Sequence, residues 1–350
     1  MSVLDRSLVI DGCVFAEDEF PGYSQRMAAA RLDACVLTVP HSSRGFREAA
    51  RSIGRTHSVV DGQAEKLSIV RGYRDLLKAS AESKVAVVLA FQDPAPIENR
   101  LDFLRVFYEL GVRVVQLTYN KANYIGTGCA ETSDRGLTDF GRELIREMNR
   151  LGILMDLSHC SRQTALDAME ESRDPAVFSH ANVRAISDNP RNRADDELKV
   201  LAERGGVIGL TPWGPVCWKG QKDEPPTVDD FLDHVDYVVD RVGMDHVGFG
   251  TDNTVDGSAD EEGTRHQSLL YPAVVGEFDR RVGTKPDVRY ARGFSGHHEL
   301  PNVVRGLEAI AERYGSGTME WSSYVQPAIA SAEEGVVVTS FMYGINYSLM

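Results

Sequence analysis

Eight short runs dense in Val, Ile and Leu recur along the chain with longer amphipathic stretches between them, and this alternation constrains the fold more than any other feature. The runs are LVIDGCVF (8–15), LDACVLTVP (32–40), KVAVVLAF (84–91), RVVQLTY (113–119), ILMDLSH (153–159), AVFSHA (176–181), GVIGLTPW (206–213) and HVGFGTD (246–252). Most are nearly continuous in apolar residues, as strands covered on both faces must be. The stretches 61–82, 96–111, 139–152, 161–172, 195–206 and 227–243 space apolar residues three and four apart, the period of a helix with one buried face. Thr138, Ser161 and Thr227 stand where a hydroxyl caps a helix start, and several stretches end on Gly. Eight strands interleaved with helices predict an α/β protein, a (β/α)8 TIM barrel. No G-x-G-x-x-G follows the first run, which speaks against a dinucleotide-binding sheet. With no repeat, low-complexity segment or linker, residues 1–350 read as one barrel domain with a C-terminal helical extension.

Charge narrows the partners. The net charge is −14, from 52 acidic and 38 basic side chains, so neither nucleic acid nor an anionic membrane surface is an expected partner. The start of the chain shows no basic leader with an apolar run, and no apolar stretch approaches the roughly 20 residues of a membrane helix. Five scattered cysteines without a CxxC pair predict reduced thiols in a cytoplasmic protein.

In a TIM barrel the chemistry sits at the C-terminal ends of the strands. Those ends read Cys13 and Phe15, His41, Gln92, Tyr119, His159, His180, Trp213 and Asp252 in strand order. Imidazoles at two consecutive strand ends can share one zinc-like ion at about 2.0–2.1 Å. A carboxylate at the eighth strand end can complete the shell or take a proton from activated water. A lone histidine at either position is more simply a hydrogen-bonded core residue, and the pairing in register with Asp252 is what favours a metal.

The stretch from 113 to 161, ending in DLSHCS, then VFSHANVRAI (177–186), NPRNRADDEL (189–198) and VGFGTDNTVDG (247–257), resembles the membrane (renal) dipeptidase family. The similarity runs from VIDG at 9–12 to YGINY at 343–347. It implies a metal-dependent amidohydrolase barrel, commonly with two zinc ions, acting on a small substrate with a free carboxylate. It implies metal ligands at His159 and His180, a proton shuttle at Asp252 and a carboxylate-binding Arg191. Family members usually pair two barrels, so a homodimer is implied as well.

Four positions depart from the family pattern. Cys13 and Phe15 stand where the first strand of the family carries His and Asp. Gln92 replaces a bridging Glu, and Tyr119 replaces a fourth-strand His that assists the oxyanion. The expectation is therefore one Zn2+ or none, with His159 and His180 as ligands and Gln92, Cys13, Asp252 or His41 filling the shell. Two alternatives stay open: a non-peptidase lyase, hydratase or decarboxylase step using Tyr119 as acid and His41 as base, or a catalytically inactive binding protein. Trp213 and Trp218 read as pocket wall or as packing. His297 and His298 read as a loop pair within reach of the metal or simply solvated. Asp18 or Glu19, in the acidic run with Glu17, could replace a lost first-strand ligand.

Overall fold

The computed structural model describes residues 8–15, 22, 27, 30, 32–40, 45–254 and 261–314. His41, the run Glu17–Glu19 and YGINY at 343–347 lie outside the described residues. Ten strands form one sheet: β1 (Ile10–Phe15), β2 (Ala34–Thr38), β3 (Leu67–Ile69), β4 (Val85–Phe91), β5 (Val112–Gln116), β6 (Leu154–Asp156), β7 (Ala176–Phe178), β8 (Val207–Leu210), β9 (Val247–Phe249) and β10 (Asn253–Thr254). The order is β10-β1-β2-β4-β5-β6-β7-β8-β9, every pair parallel, with β3 as a side branch on β4. β10 follows β9 after residues 250–252 and pairs with β1, Val14 opposite Asn253, so the two ends of the sheet meet as a barrel requires.

The helices are α1 (Phe46–Gly62), α2 (Tyr73–Ala81), α3 (Leu101–Glu109), α4 (Asp139–Leu151), α5 (Arg162–Glu171), α6 (Asp195–Glu203), α7 (Gly214–Cys217), α8 (Val228–Val242), α9 (Glu261–Leu270), α10 (Glu277–Arg281) and α11 (Leu300–Arg313). Thr138, Ser161 and Thr227 each accept a backbone N–H at the start of α4, α5 and α8, as their hydroxyls predict. None of the described helices is long and apolar enough to cross a membrane.

Alternation along the strands builds two cores. Ala34 and Val36 of β2, Ala86, Val88 and Ala90 of β4, Val114, Leu154, Val177 and Val207 share the inner cluster, where small side chains fit the barrel interior. Their neighbours Cys35, Leu37, Val87, Leu89 and Phe91 belong to the larger cluster under the helices.

One segment overturns its prediction. Residues 61–82 do not form one helix; α1 ends at Gly62, β3 intervenes, and α2 begins at Tyr73. β3 pairs with the first half of β4 (Leu67 opposite Val85), and Leu76 and Ala79 of α2 join the inner core. This excursion therefore closes the barrel at the end opposite the strand C-termini, leaving the other mouth for chemistry. Several strands are also shorter than their apolar runs: β6 stops at Asp156 and β7 at Phe178, so His159 and His180 sit on the loops just beyond.

Candidate active site

The strand-end residues converge. His159 and His180 turn their Nε2 atoms on each other at 2.9 Å, and His180 Nε2 is 4.0 Å from Asp252 Oδ1. Cys13 Sγ lies 3.7 Å from the same Oδ1, and Gln92 Nε2 donates to Cys13 Sγ at 2.9 Å and to Asp252 Oδ1 at 3.3 Å. Tyr119 stacks on His159 with ring centroids 4.3 Å apart, and Tyr271 meets Tyr119 edge-on.

A buried network orients the two imidazoles. Asp156, at the end of β6, accepts from the N–H and hydroxyl of Ser158 and from the N–H and hydroxyl of Ser179, at 2.5 to 3.0 Å. With its proton given to Asp156, Ser179 Oγ accepts from His180 Nδ1 at 2.7 Å. His159 Nδ1 donates to Asn120 Oδ1 at 2.8 Å. Both Nδ1 atoms therefore carry hydrogen, and both Nε2 atoms present lone pairs. Burial, then the positive charge of Arg191, holds both histidines well below the usual imidazole range, so a proton between them is disfavoured. Two facing lone pairs repel unless a cation lies between them, and the donors present suit one: imidazole nitrogens, a thiol and a carboxylate.

The backbone is shaped to allow this. Asn120 and Asp252 both adopt positive φ, +60° and +51°, conformations that Asn and Asp tolerate better than most side chains. Asp252 is held there by its N–H, which donates to the Cys13 carbonyl (3.0 Å), and by the Tyr290 hydroxyl, which donates to the Asp252 carbonyl (2.7 Å). Behind His180, a Cβ on Gly209 or Gly250 would come within 2.1 or 1.9 Å of the Ser179 carbonyl oxygen. Only glycine lets β8 and the end of β9 approach so closely.

Electrostatics divide the acids. Burial pushes the Asp252 carboxyl up to about 6, with Arg191, Gln92 and Cys13 pulling it back down. Burial and the neighbouring carboxylates of Asp252, Asp156 and Asp11 raise the Cys13 thiol. Burial, with Asp252 next, raises the Tyr119 phenol, which stays protonated at neutral pH.

Other predicted residues fall differently. Arg191 is buried, and its guanidinium donates to the carbonyls of Ser158 and His180, tying together the two loops that carry the histidines. Arg193, ion-paired with Glu197 at 3.2 Å, does the same for the Cys160 and Arg191 carbonyls. His297 does not reach into the histidine pair: it is buried and meets Asp11 Oδ2 at 2.6 Å, while His298 is exposed. Asp11 also accepts from both N–H and hydroxyl of Thr251, which braces the strand end before Asp252. The Trp213 ring carries the buried Arg289 guanidinium at 5.6 Å. Sequence reasoning missed Asn120, Asp156, Ser179 and Tyr290; the serines beside each histidine, in LSH and FSH, were the available signal.

A parallel barrel with histidines, a carboxylate and a buried arginine at its C-terminal mouth belongs to the class of metal-dependent hydrolase barrels. More narrowly, residues 23–309 match the family model "Membrane dipeptidase (Peptidase family M19)", and the chain belongs to that family. It is 30% identical over 277 residues to dipeptidase tcpJ of Claviceps purpurea, covering 78% of this chain and 62% of the relative. With an uncharacterized dipeptidase of Schizosaccharomyces pombe it shares 34% over 211 residues, 59% of this chain and 50% of that one. The chain thus spans only part of the length of these relatives. Among solved structures, an amidohydrolase from Pseudomonas aeruginosa superposes with a TM-score of 0.76 at 31% identity, covering 88% of this chain and 92% of that one. A metallo peptidase from Rhodobacter sphaeroides shares the fold, with a TM-score of 0.69 at 20% identity over 87% and 93% of the two chains.

Proposed function

We propose that this chain hydrolyses the amide bond of a dipeptide or similar small substrate with a free carboxylate, using one zinc-class ion held at His159 and His180. The observation that carries this is the pair of imidazole lone pairs facing each other at 2.9 Å, each fixed by a hydrogen bond at its Nδ1. Such an ion, when bound, supplies Lewis acidity that makes water a nucleophile near neutral pH and polarises the scissile carbonyl. Asp252 takes the proton of the attacking water on its carboxylate, with an affinity raised by burial into the range a general base needs. Tyr119, protonated and stacked on His159, donates to the developing oxyanion in place of the family's histidine. Arg191 draws the substrate carboxylate: its hydrogen bonds go to neutral carbonyls, and its positive charge acts on the site through Asp252 and the two histidines. A second ion lacks its bridge, because Gln92 is neutral and turns its N–H donors towards Cys13 and Asp252. All five cysteines are free thiols, which supports a reducing, cytoplasmic setting.

The test is metal analysis of the full chain together with a panel of dipeptides and N-acyl amino acids, with and without chelator. We expect about one ion per chain and turnover abolished by chelator and restored by zinc. Turnover indifferent to chelator, or none on any amide, would overturn the proposal.

A further inference from the structure

The ligand set at this mouth is not the one expected from its family, and the change falls on the atom that most governs ion choice. Cys13 Sγ, His180 Nε2 and Asp252 Oδ1 all lie within 4.8 Å of one another, with His159 Nε2 adjoining His180. Sulfur and oxygen are 3.7 Å apart, and nitrogen and oxygen 4.0 Å. Ligands on one tetrahedral zinc, with metal–sulfur near 2.3 Å and metal–nitrogen or –oxygen near 2.0–2.1 Å, stand about 3.3–3.6 Å apart. On such an ion the sulfur–oxygen edge already fits, the nitrogen–oxygen edge closes by roughly half an ångström, and the His159–His180 pair at 2.9 Å opens slightly. β1 fixes the sulfur in place: the Cys13 N–H is bonded to Asp11 and its carbonyl accepts from Asp252.

We infer that Cys13 is a direct thiolate ligand, so that the site selects a thiophilic ion of the zinc, cobalt or cadmium class over magnesium or manganese; this rests on the metal-dependent reading above. Sulfur and imidazole donors favour soft and borderline ions, whereas hard ions need several oxygens. Among the described residues Asp252 is the single carboxylate in the cluster, Gln92 offers no charge, and the Phe15 side chain, two residues beyond Cys13 on the same strand, offers no ligand atom.

Cobalt(II) titration of the metal-free full chain separates the possibilities. The wild type should develop a thiolate-to-cobalt charge-transfer band in the near ultraviolet, saturating at one equivalent. Cys13→Ser should lose that band while keeping visible d–d absorption, and should bind zinc at least about tenfold more weakly with manganese affinity little changed. Bound cobalt without the band in the wild type, or a band that survives in Cys13→Ser, overturns the thiolate ligand and leaves the hydrolase proposal standing. No cobalt uptake removes both. Should Cys13→Ser fail to fold, zinc-edge X-ray absorption of the wild type decides: sulfur at about 2.3 Å supports the ligand, and a shell of nitrogen and oxygen alone overturns it.

Discussion

The two sides of the barrel mouth meet at one point but are held by different means. On the β6–β7 side, His159 and His180 are fixed through a buried lattice of Asp156, Ser158, Ser179, Asn120 and Arg191, in which side chains bind backbone and backbone binds side chains. On the β1–β4 side, Cys13 and Gln92 mainly touch each other and Asp252. The first arrangement cannot lose a member without disturbing the loops beyond the strands. The second lets side chains change while the strands stay as they are. Three of the four positions that depart from the pattern implied by the family resemblance, Cys13, Phe15 and Gln92, lie on this second side, while the fourth, Tyr119, stacks on His159.

That contrast can be broken by substitution. His180→Ala should cost the bound ion and roughly a thousandfold or more in kcat/KM, about 4 kcal/mol of transition-state stabilisation. Metal content and steady-state kinetics check it, and retained turnover would move the chemistry to the Cys13 side. Asp156→Ala strands four hydrogen-bond donors in the buried lattice and should destabilise the fold by about 3–4 kcal/mol in urea unfolding, whereas Gln92→Ala should cost nearer 1 kcal/mol. Equal costs would erase the distinction between the two sides.

Acid sharpens it further. Burial holds His159, His180 and His234 below the ordinary 6.5, so as the pH falls below that value the unfolded chain gains protons that the folded chain refuses. Stability of the metal-free protein should fall by up to about 1.4 kcal/mol per pH unit for each histidine. Asp252 acts in the opposite sense: raised from 3.8 to about 6, it keeps its proton when folded, and its contribution rises as the pH falls across that window. Three groups against one predict net loss, measurable by urea unfolding between about pH 7.5 and 5. A modest effect on turnover belongs to Tyr119→Phe, which keeps the stack on His159 and removes only the hydroxyl. It should lower kcat by up to about tenfold with KM little changed, the mark of a bond made in the transition state.

Much of the architecture was legible because parallel barrel strands are covered on both faces and announce themselves as apolar runs. The same property blurred their ends: residues such as Leu157 and Ala181 stay buried after the strand stops, so apolarity outlasts the ladder. β3 escaped because its three residues sit in a stretch whose apolar spacing also fits a helix, although Gly62 and Gly72 mark the two breaks. Among site residues, His159, His180, Asp252, Gln92 and Cys13 were readable as strand ends. Arg191 was readable as important, but its grip on the Ser158 and His180 carbonyls was not, because backbone acceptors leave no trace in a sequence.

Taken alone, the sequence determined the order of the eight main strands and the residue type at each strand end, and its family resemblance implied replaced ligands at Cys13, Phe15 and Gln92. The tertiary structure decided which atom of each ligand faces the centre. His159 is oriented by Asn120, 39 residues away, and Cys13 by Gln92, 79 residues away; Asp11, beneath Asp252, is held by His297 across 286. An imidazole presents Nε2 or Nδ1 according to the hydrogen bond its other nitrogen makes, and those partners become neighbours only when the barrel closes.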